Sequence, residues 1–160
     1  VIYTLPDGMK AGIINLSGRI FMPMMDCPFR TAKPEIEYLN KETDIIIIDL
    51  HAEATSEKVA FGYFVDGKVS AVIGTHTHVQ TADEKILPQG TAYITDVGMT
   101  GPANSVIGIE VGQIIQRFLT SMPDRFITAG GEGILSAVVI EISNDSGKAT
   151  AIQRLQVSYP

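Results

Sequence analysis

Two of the chain's three histidines stand one residue apart, in Val72-Ile-Gly-Thr-His-Thr-His-Val-Gln-Thr-Ala-Asp83. The third, His51, follows the apolar run that starts at Asp44. Neutral imidazole is the commonest metal ligand, so His76 and His78, at the mouth of a loop, make a candidate metal site. In extended backbone, residues two apart point to one side. Both rings are then expected to face a single site, with Thr77 turned away. Gly74, Thr75 and Thr77 are small enough to let an ion or ligand approach the backbone. Asp49 lies two residues before His51 and would share its face, and Glu53 is close behind; either could add a carboxylate. Alone, the three histidines could hold one zinc with an open position, as single-ion hydrolases do. A two-ion site, with its ions roughly 3.5–4 Å apart, needs more ligands, a bridging carboxylate among them. This chain does not obviously supply them. Other chemistry has no foothold: Cys27 has no histidine neighbour in sequence, and G-x-S-x-G, G-x-G-x-x-G and P-loop patterns are missing.

The elements that must carry these residues are legible as a pattern. Asp44-Ile-Ile-Ile-Ile-Asp49 does not alternate, which predicts a strand covered on both faces, as in an α/β sheet. Residues 69–73 predict a second buried strand, delivering Gly74 and the histidine pair. Between them, residues 56–64 predict a helix with Thr55 or Ser56 as its cap and Asp66-Gly67 as its stop. Together they form a βαβ unit that brings both histidine motifs to the carboxyl edge of a sheet, where ligands bind in α/β folds. Thr55, Ser56 and Lys58 at the helix start are a candidate anion-binding corner. A cap beside a solvated lysine reads equally well. Residues 91–97 predict a further strand, at whose end Asp96 is a candidate to orient a ligand histidine or to cap a turn.

Elsewhere, residues 1–4 and 11–16 read as strands around a Pro6-Asp7-Gly8 turn. The Met- and Pro-rich residues 17–28 read as irregular, with methionine as gap filler. A short helix should follow, with Pro34 in its first turn and Ile36 and Leu39 facing inward. Residues 110–119 predict an amphipathic helix whose Val111, Ile114, Ile115, Phe118 and Leu119 pack. Residues 134–142 and 149–157 predict a terminal hairpin around Asn144-Asp-Ser-Gly147.

At 160 residues the chain suits one α/β domain over 1–160. A net charge of −6 argues against duplex nucleic acid as a partner, yet leaves room for a small phosphorylated substrate beside bound cations. The single cysteine excludes an internal disulfide and fits a reducing, cytoplasmic setting. No apolar stretch approaches the ~18 residues of a membrane span, so no membrane partner is expected, and no signal-peptide pattern opens the chain. Beginning at Val1, inside a strand, it reads as part of something longer.

Three segments in combination are specific: Asp49-Leu-His-Ala-Glu-Ala-Thr-Ser-Glu-Lys58, Gly74-Thr-His-Thr-His-Val-Gln-Thr-Ala-Asp83 and Ala92-Tyr-Ile-Thr-Asp-Val-Gly-Met-Thr-Gly101. With them the chain resembles the YmdB-type bacterial metallophosphoesterases, calcineurin-like phosphodiesterases that act on cyclic nucleotides. Ile14-Asn-Leu-Ser-Gly-Arg19, residues 21–29 and residues 133–139 fit as well, so the resemblance covers essentially the whole chain. The family is longer at its amino end. That half carries the first aspartate motif, the Asn-Gly-Glu-Asn motif with a bridging glutamate, and the Gly-Asn-His motif, none of which occurs here.

The resemblance implies the carboxyl-terminal half of a four-layer αββα sandwich. It places His51 and His76 on one metal ion and His78 on the other, with the remaining ligands in the absent half. It implies two divalent transition metal ions, iron or manganese, and attack by a bridging hydroxide on a small phosphodiester, a 2',3'- or 3',5'-cyclic nucleotide. The absent half is thus an expected partner, without which the chain should be nearly inactive and should expose a large apolar patch. A homo-oligomer is compatible with all of this. The competing readings are another calcineurin-like phosphatase, a single-metal three-histidine hydrolase, and a non-catalytic regulatory module.

Overall fold

The computed structural model describes all residues from Val1 to Pro160. Strand β1 (Ile2–Thr4) turns through Pro6, Asp7 and Gly8 into β2 (Lys10–Ser17), antiparallel to it. The turn holds because the Asp7 carboxylate accepts the Met9 amide and Gly8 takes a φ of 87° that suits glycine. Helix α1 (Pro28–Leu39) leads to β3 (Ile46–His51), and helix α2 (Thr55–Val65) leads to β4 (Ala71–Thr75). Two short strands follow, β5 (Lys85–Ile86) and β6 (Ala92–Ile94). The six form one sheet ordered β1-β2-β3-β4-β6-β5, with β2, β3, β4 and β6 parallel. A second, antiparallel sheet contains β7 (Gly101–Pro102), β8 (Gly133–Ile142) and β9 (Ala149–Tyr159). Helix α3 (Val111–Thr120) lies between β7 and β8 in sequence. The fold is mixed α/β, and no helix is long and apolar enough to cross a membrane.

The core lies between the first sheet and helices α1 and α2. Ile46, Ile48 and Leu50 are fully buried there with Ile14, Ile36, Leu39, Phe61, Val65 and Tyr93. Ile36 and Leu39 face inward as predicted. Pro34 does not sit in the first turn: α1 begins six residues earlier, with Pro28 at its start and Pro34 on the exposed side of its interior. Pro28 can take that place because the first helical residue has no intrahelical use for its N–H.

The cover expected on both faces of the isoleucine run is only half present. On the second face Ile47 packs with Ile140 and Ile152 around Ala71, Ala92 and Ala149, where the β8–β9 hairpin crosses the sheet. Toward β2 that face is open, and Ile13 is 42% exposed. The predicted packing of α3 is also not met within this chain. Only Ile114 is buried, and Phe118 and Leu119 are 82% and 74% exposed.

Candidate metal centre

Parallel register builds the site. Asn15, Asp49 and Ile73 are paired in a row across β2, β3 and β4, and Ser17, His51 and Thr75 form the next row. Because side chains alternate, all six point to the open face. Asn15 Nδ2 donates to Asp49 Oδ2 at 2.6 Å, and Thr75 Oγ1 donates to Asp49 Oδ1 at 2.7 Å. With its hydroxyl proton given to Asp49, Thr75 Oγ1 accepts from His51 Nδ1 at 3.1 Å. This chain of bonds puts the His51 proton on Nδ1 and leaves a lone pair on Nε2.

The second histidine is fixed from the other side. His76 Nε2 lies 3.2 Å from the Glu53 carboxylate, which favours a proton on that nitrogen and a lone pair on Nδ1. His76 Nδ1 and His51 Nε2 then meet 3.1 Å apart, with ring centroids at 4.7 Å. A contact this short holds either a proton that one ring donates to the other or, where both nitrogens keep their lone pairs, a cation between them. Two nitrogens bound at right angles to one ion, each about 2.1 Å from it, are ~3.0 Å apart. The donor chemistry and the spacing therefore both fit a transition metal ion.

The rest of the predicted set falls in different places. The extended H-x-H is corrected: the strand stops at Thr75, and His76 and His78 have φ of 104° and 66°, so they do not share a strand face. His78 is exposed and lines a separate cleft with Met99, Pro102, Ile107 and Gln156. No three His, Cys, Asp or Glu side chains gather around one point, so a three-histidine centre is not assembled by these residues. Asp49 accepts from Thr75 and Asn15 behind His51, and Glu53 lies beside His76 Nε2.

The anion-binding corner is overturned, and so is its bland alternative. Lys58 is fully buried, held by Asp96 at 2.8 Å and by the Thr75 carbonyl at 2.7 Å. Thr55 and Ser56 are not buried with it, and neither caps α2, whose N-cap is Ala54. Asp96 is buried and touches no ring; it accepts the amides of Thr77 and Gly98. Burial pushes its carboxyl upward, but the Lys58 ammonium and these amides outweigh that and hold it below the ordinary aspartate range.

Over residues 1–155 the chain matches the family described as YmdB-like protein. The chain belongs to the YmdB-like family. It is 51% identical over 158 residues to a 2',3'-cyclic-nucleotide 2'-phosphodiesterase of Bacillus subtilis, covering 99% of this chain and 60% of that protein. Among solved structures, a hypothetical protein from Thermus thermophilus superposes with a TM-score of 0.91 at 41% identity, over 99% of this chain and 62% of that one. A novel phosphatase from Mycoplasma pneumoniae gives 0.87 at 37%, over 99% and 56%. This YmdB-like chain thus spans about three fifths of the length of such relatives.

Sequence reasoning passed over two residues beside the candidate site. Asn15 was legible as a polar residue in an apolar strand, but its role needed the register with Asp49. Glu57 was not legible. From the first turn of α2 its carboxylate accepts the Arg19 amide at 3.0 and 3.1 Å and the Ile20 amide at 3.2 Å. That fixes residues 18–20 beside His51, whose carbonyl takes the Gly18 amide at 2.9 Å. A β-carbon on Gly18 would lie 2.5 Å from that of Ala52, so only glycine fits there.

Proposed function

We propose that this chain provides one side of a two-metal phosphodiesterase centre that hydrolyses cyclic nucleotides, and that a preceding segment of a longer protein completes it. The observation that carries the reading is the facing pair His51 Nε2 and His76 Nδ1, 3.1 Å apart, with Thr75 bonded to the far nitrogen of one ring and Glu53 3.2 Å from the far nitrogen of the other. Several other features support it. The pair stands on an open sheet face, and a cleft of about 500 Å³ beside β2 is lined by Ile13 and Asn15 of that face. The chain matches only part of each relative's length, and the B. subtilis relative is named for a 2',3'-cyclic-nucleotide substrate. In this reading the open face around Ile13, Asn15 and Ile47 receives the missing segment. The helices, the two sheets and that segment then make a four-layer αββα sandwich with this chain as its carboxyl-terminal half.

His51 and His76 would hold one ion, and His78, with ligands from the other segment, a second; iron and manganese are the ions that the family resemblance implies. Ions bound there supply charge neutralisation at the phosphoryl oxygens and lower the pKa of a water. The chain's own task is orientation. Thr75 and Asp49 favour the His51 tautomer with Nε2 free, and Glu53 beside His76 Nε2 favours a free Nδ1, so both rings are turned toward the ion.

The test is metal content and substrate profile of the full chain, loaded with Mn²⁺ and assayed on 2',3'-cyclic AMP, 3',5'-cyclic AMP and a phosphate monoester. Two ions and preference for a cyclic diester are expected, with 2',3'-cyclic AMP favoured. Monoester preference would indicate a different calcineurin-like phosphatase. One ion held tightly by these 160 residues alone would indicate a single-metal hydrolase. Unchanged activity and metal content in His51→Ala and His76→Ala would leave the histidines structural.

A further inference from the structure

Lys58 and Asp96 form an ion pair of 2.8 Å in which each side chain is 1% exposed. A buried pair contributes little net stability, because desolvating both charges offsets their attraction. Its other partners suggest what it is for. Lys58 Nζ donates to the carbonyl of Thr75, the residue before His76, at 2.7 Å. Asp96 Oδ2 accepts the amide of Thr77, the residue after His76, at 3.0 Å. Asp96 Oδ1 takes the amide of Gly98 at 2.9 Å, which anchors the carboxylate itself. His76 is therefore gripped on both flanks, by α2 through Lys58 and by the chain just beyond β6 through Asp96. Between those grips it has a φ of 104°, a value non-glycine residues rarely adopt and keep only where the surroundings impose it.

We propose that the buried Lys58–Asp96 pair is a clamp that holds His76 in this left-handed turn, so that its Nδ1 meets His51 Nε2 before any ion arrives. The purpose of the clamp rests on the metal-centre reading above; the clamp itself is a property of the metal-free protein. Lys58 and Asp96 are positioning residues, acting only through Thr75, His76 and Thr77.

The test uses the full chain with Lys58→Met and Asp96→Leu together, which leaves no lone buried charge while releasing the Thr75 carbonyl and the Thr77 amide. In metal-free protein, NMR should show loss of the cross-ring contact between His51 and His76. The Thr77 amide should exchange at least about tenfold faster, with the β8–β9 hairpin unchanged. Affinity for Mn²⁺ should fall about 10–100-fold, the range for loss of a group that orients a ligand. Survival of the ring contact and of Thr77 protection would overturn the clamp. So would loss of both with Mn²⁺ affinity unchanged. A parent protein that does not bind Mn²⁺ would sink the metal-centre reading instead, and the metal-free ring contact would still decide the clamp. If the double variant does not fold, Asp96→Asn is read in the same way: faster Thr77 exchange supports the clamp, and wild-type exchange overturns it.

Discussion

Thr75 Oγ1 stands between His51 Nδ1 at 3.1 Å and Asp49 Oδ1 at 2.7 Å, so one hydroxyl joins a candidate ligand to a carboxylate two residues earlier in the same strand. It reaches both because β3 and β4 are parallel with His51 paired to Thr75. The hydroxyl can give its proton only once, and Asp49 takes it. His51 is thereby made the donor at Nδ1.

Thr75→Val tests this relay with little change in volume. Without the hydroxyl, His51 can place its proton on Nε2 and lose its lone pair toward His76. Affinity for Mn²⁺ in the full chain should fall about 10–100-fold, with a stability loss of only about 1 kcal/mol. Isothermal titration beside a urea melt separates the two effects. Unchanged affinity would show that Thr75 does not set the tautomer.

Glu57→Ala removes the acceptor for the Arg19 and Ile20 amides. Leaving such donors unpaired should cost about 2 kcal/mol, or about 4–8 °C in the melting temperature of a domain this size. Calorimetry on the full chain checks it. A shift under about 1 °C would mean that water replaces the carboxylate at no cost.

Acid should weaken the fold through Asp83 and Asp96. Burial raises both, but Asp83 receives the hydroxyls of Thr81 and Thr95 and the Thr95 amide, and Asp96 the Lys58 ammonium and two amides. Both therefore titrate below the ordinary aspartate value of 3.8. On acidification the unfolded chain takes up these protons first. The stabilisation is fully present above that value and is lost as pH falls through the lower folded values. Urea unfolding between about pH 5 and pH 3 should show stability falling steadily, with a shallower slope in Asp83→Asn. An unchanged slope would remove Asp83 from the acid response.

The parts of this fold that were legible in the sequence are those set by local pattern. The isoleucine run, the turn at Pro6 to Gly8, the βαβ crossover and the terminal hairpin follow from apolar periodicity and turn residues. What was not legible depends on partners far along the chain. The left-handed His76 answers to Asp96, which bonds its neighbour Thr77 across 19 residues. Lys58, after three polar residues at a helix start, reads as solvated until β4 and the Asp96 loop close over it. The open face of α3 misled for the opposite reason: its spacing states that it packs, and nothing within this chain covers Phe118 and Leu119. Of the site, the histidines and Asp49 were visible as residue types. Their roles came only with the register of three strands.

The most direct measurement of the shared histidine site is anomalous X-ray diffraction from crystals of the full chain grown with Mn²⁺. A manganese peak bonded to both His51 Nε2 and His76 Nδ1 is expected. A peak touching only one of these rings, or the two rings still in direct contact with manganese bound elsewhere, would contradict the account.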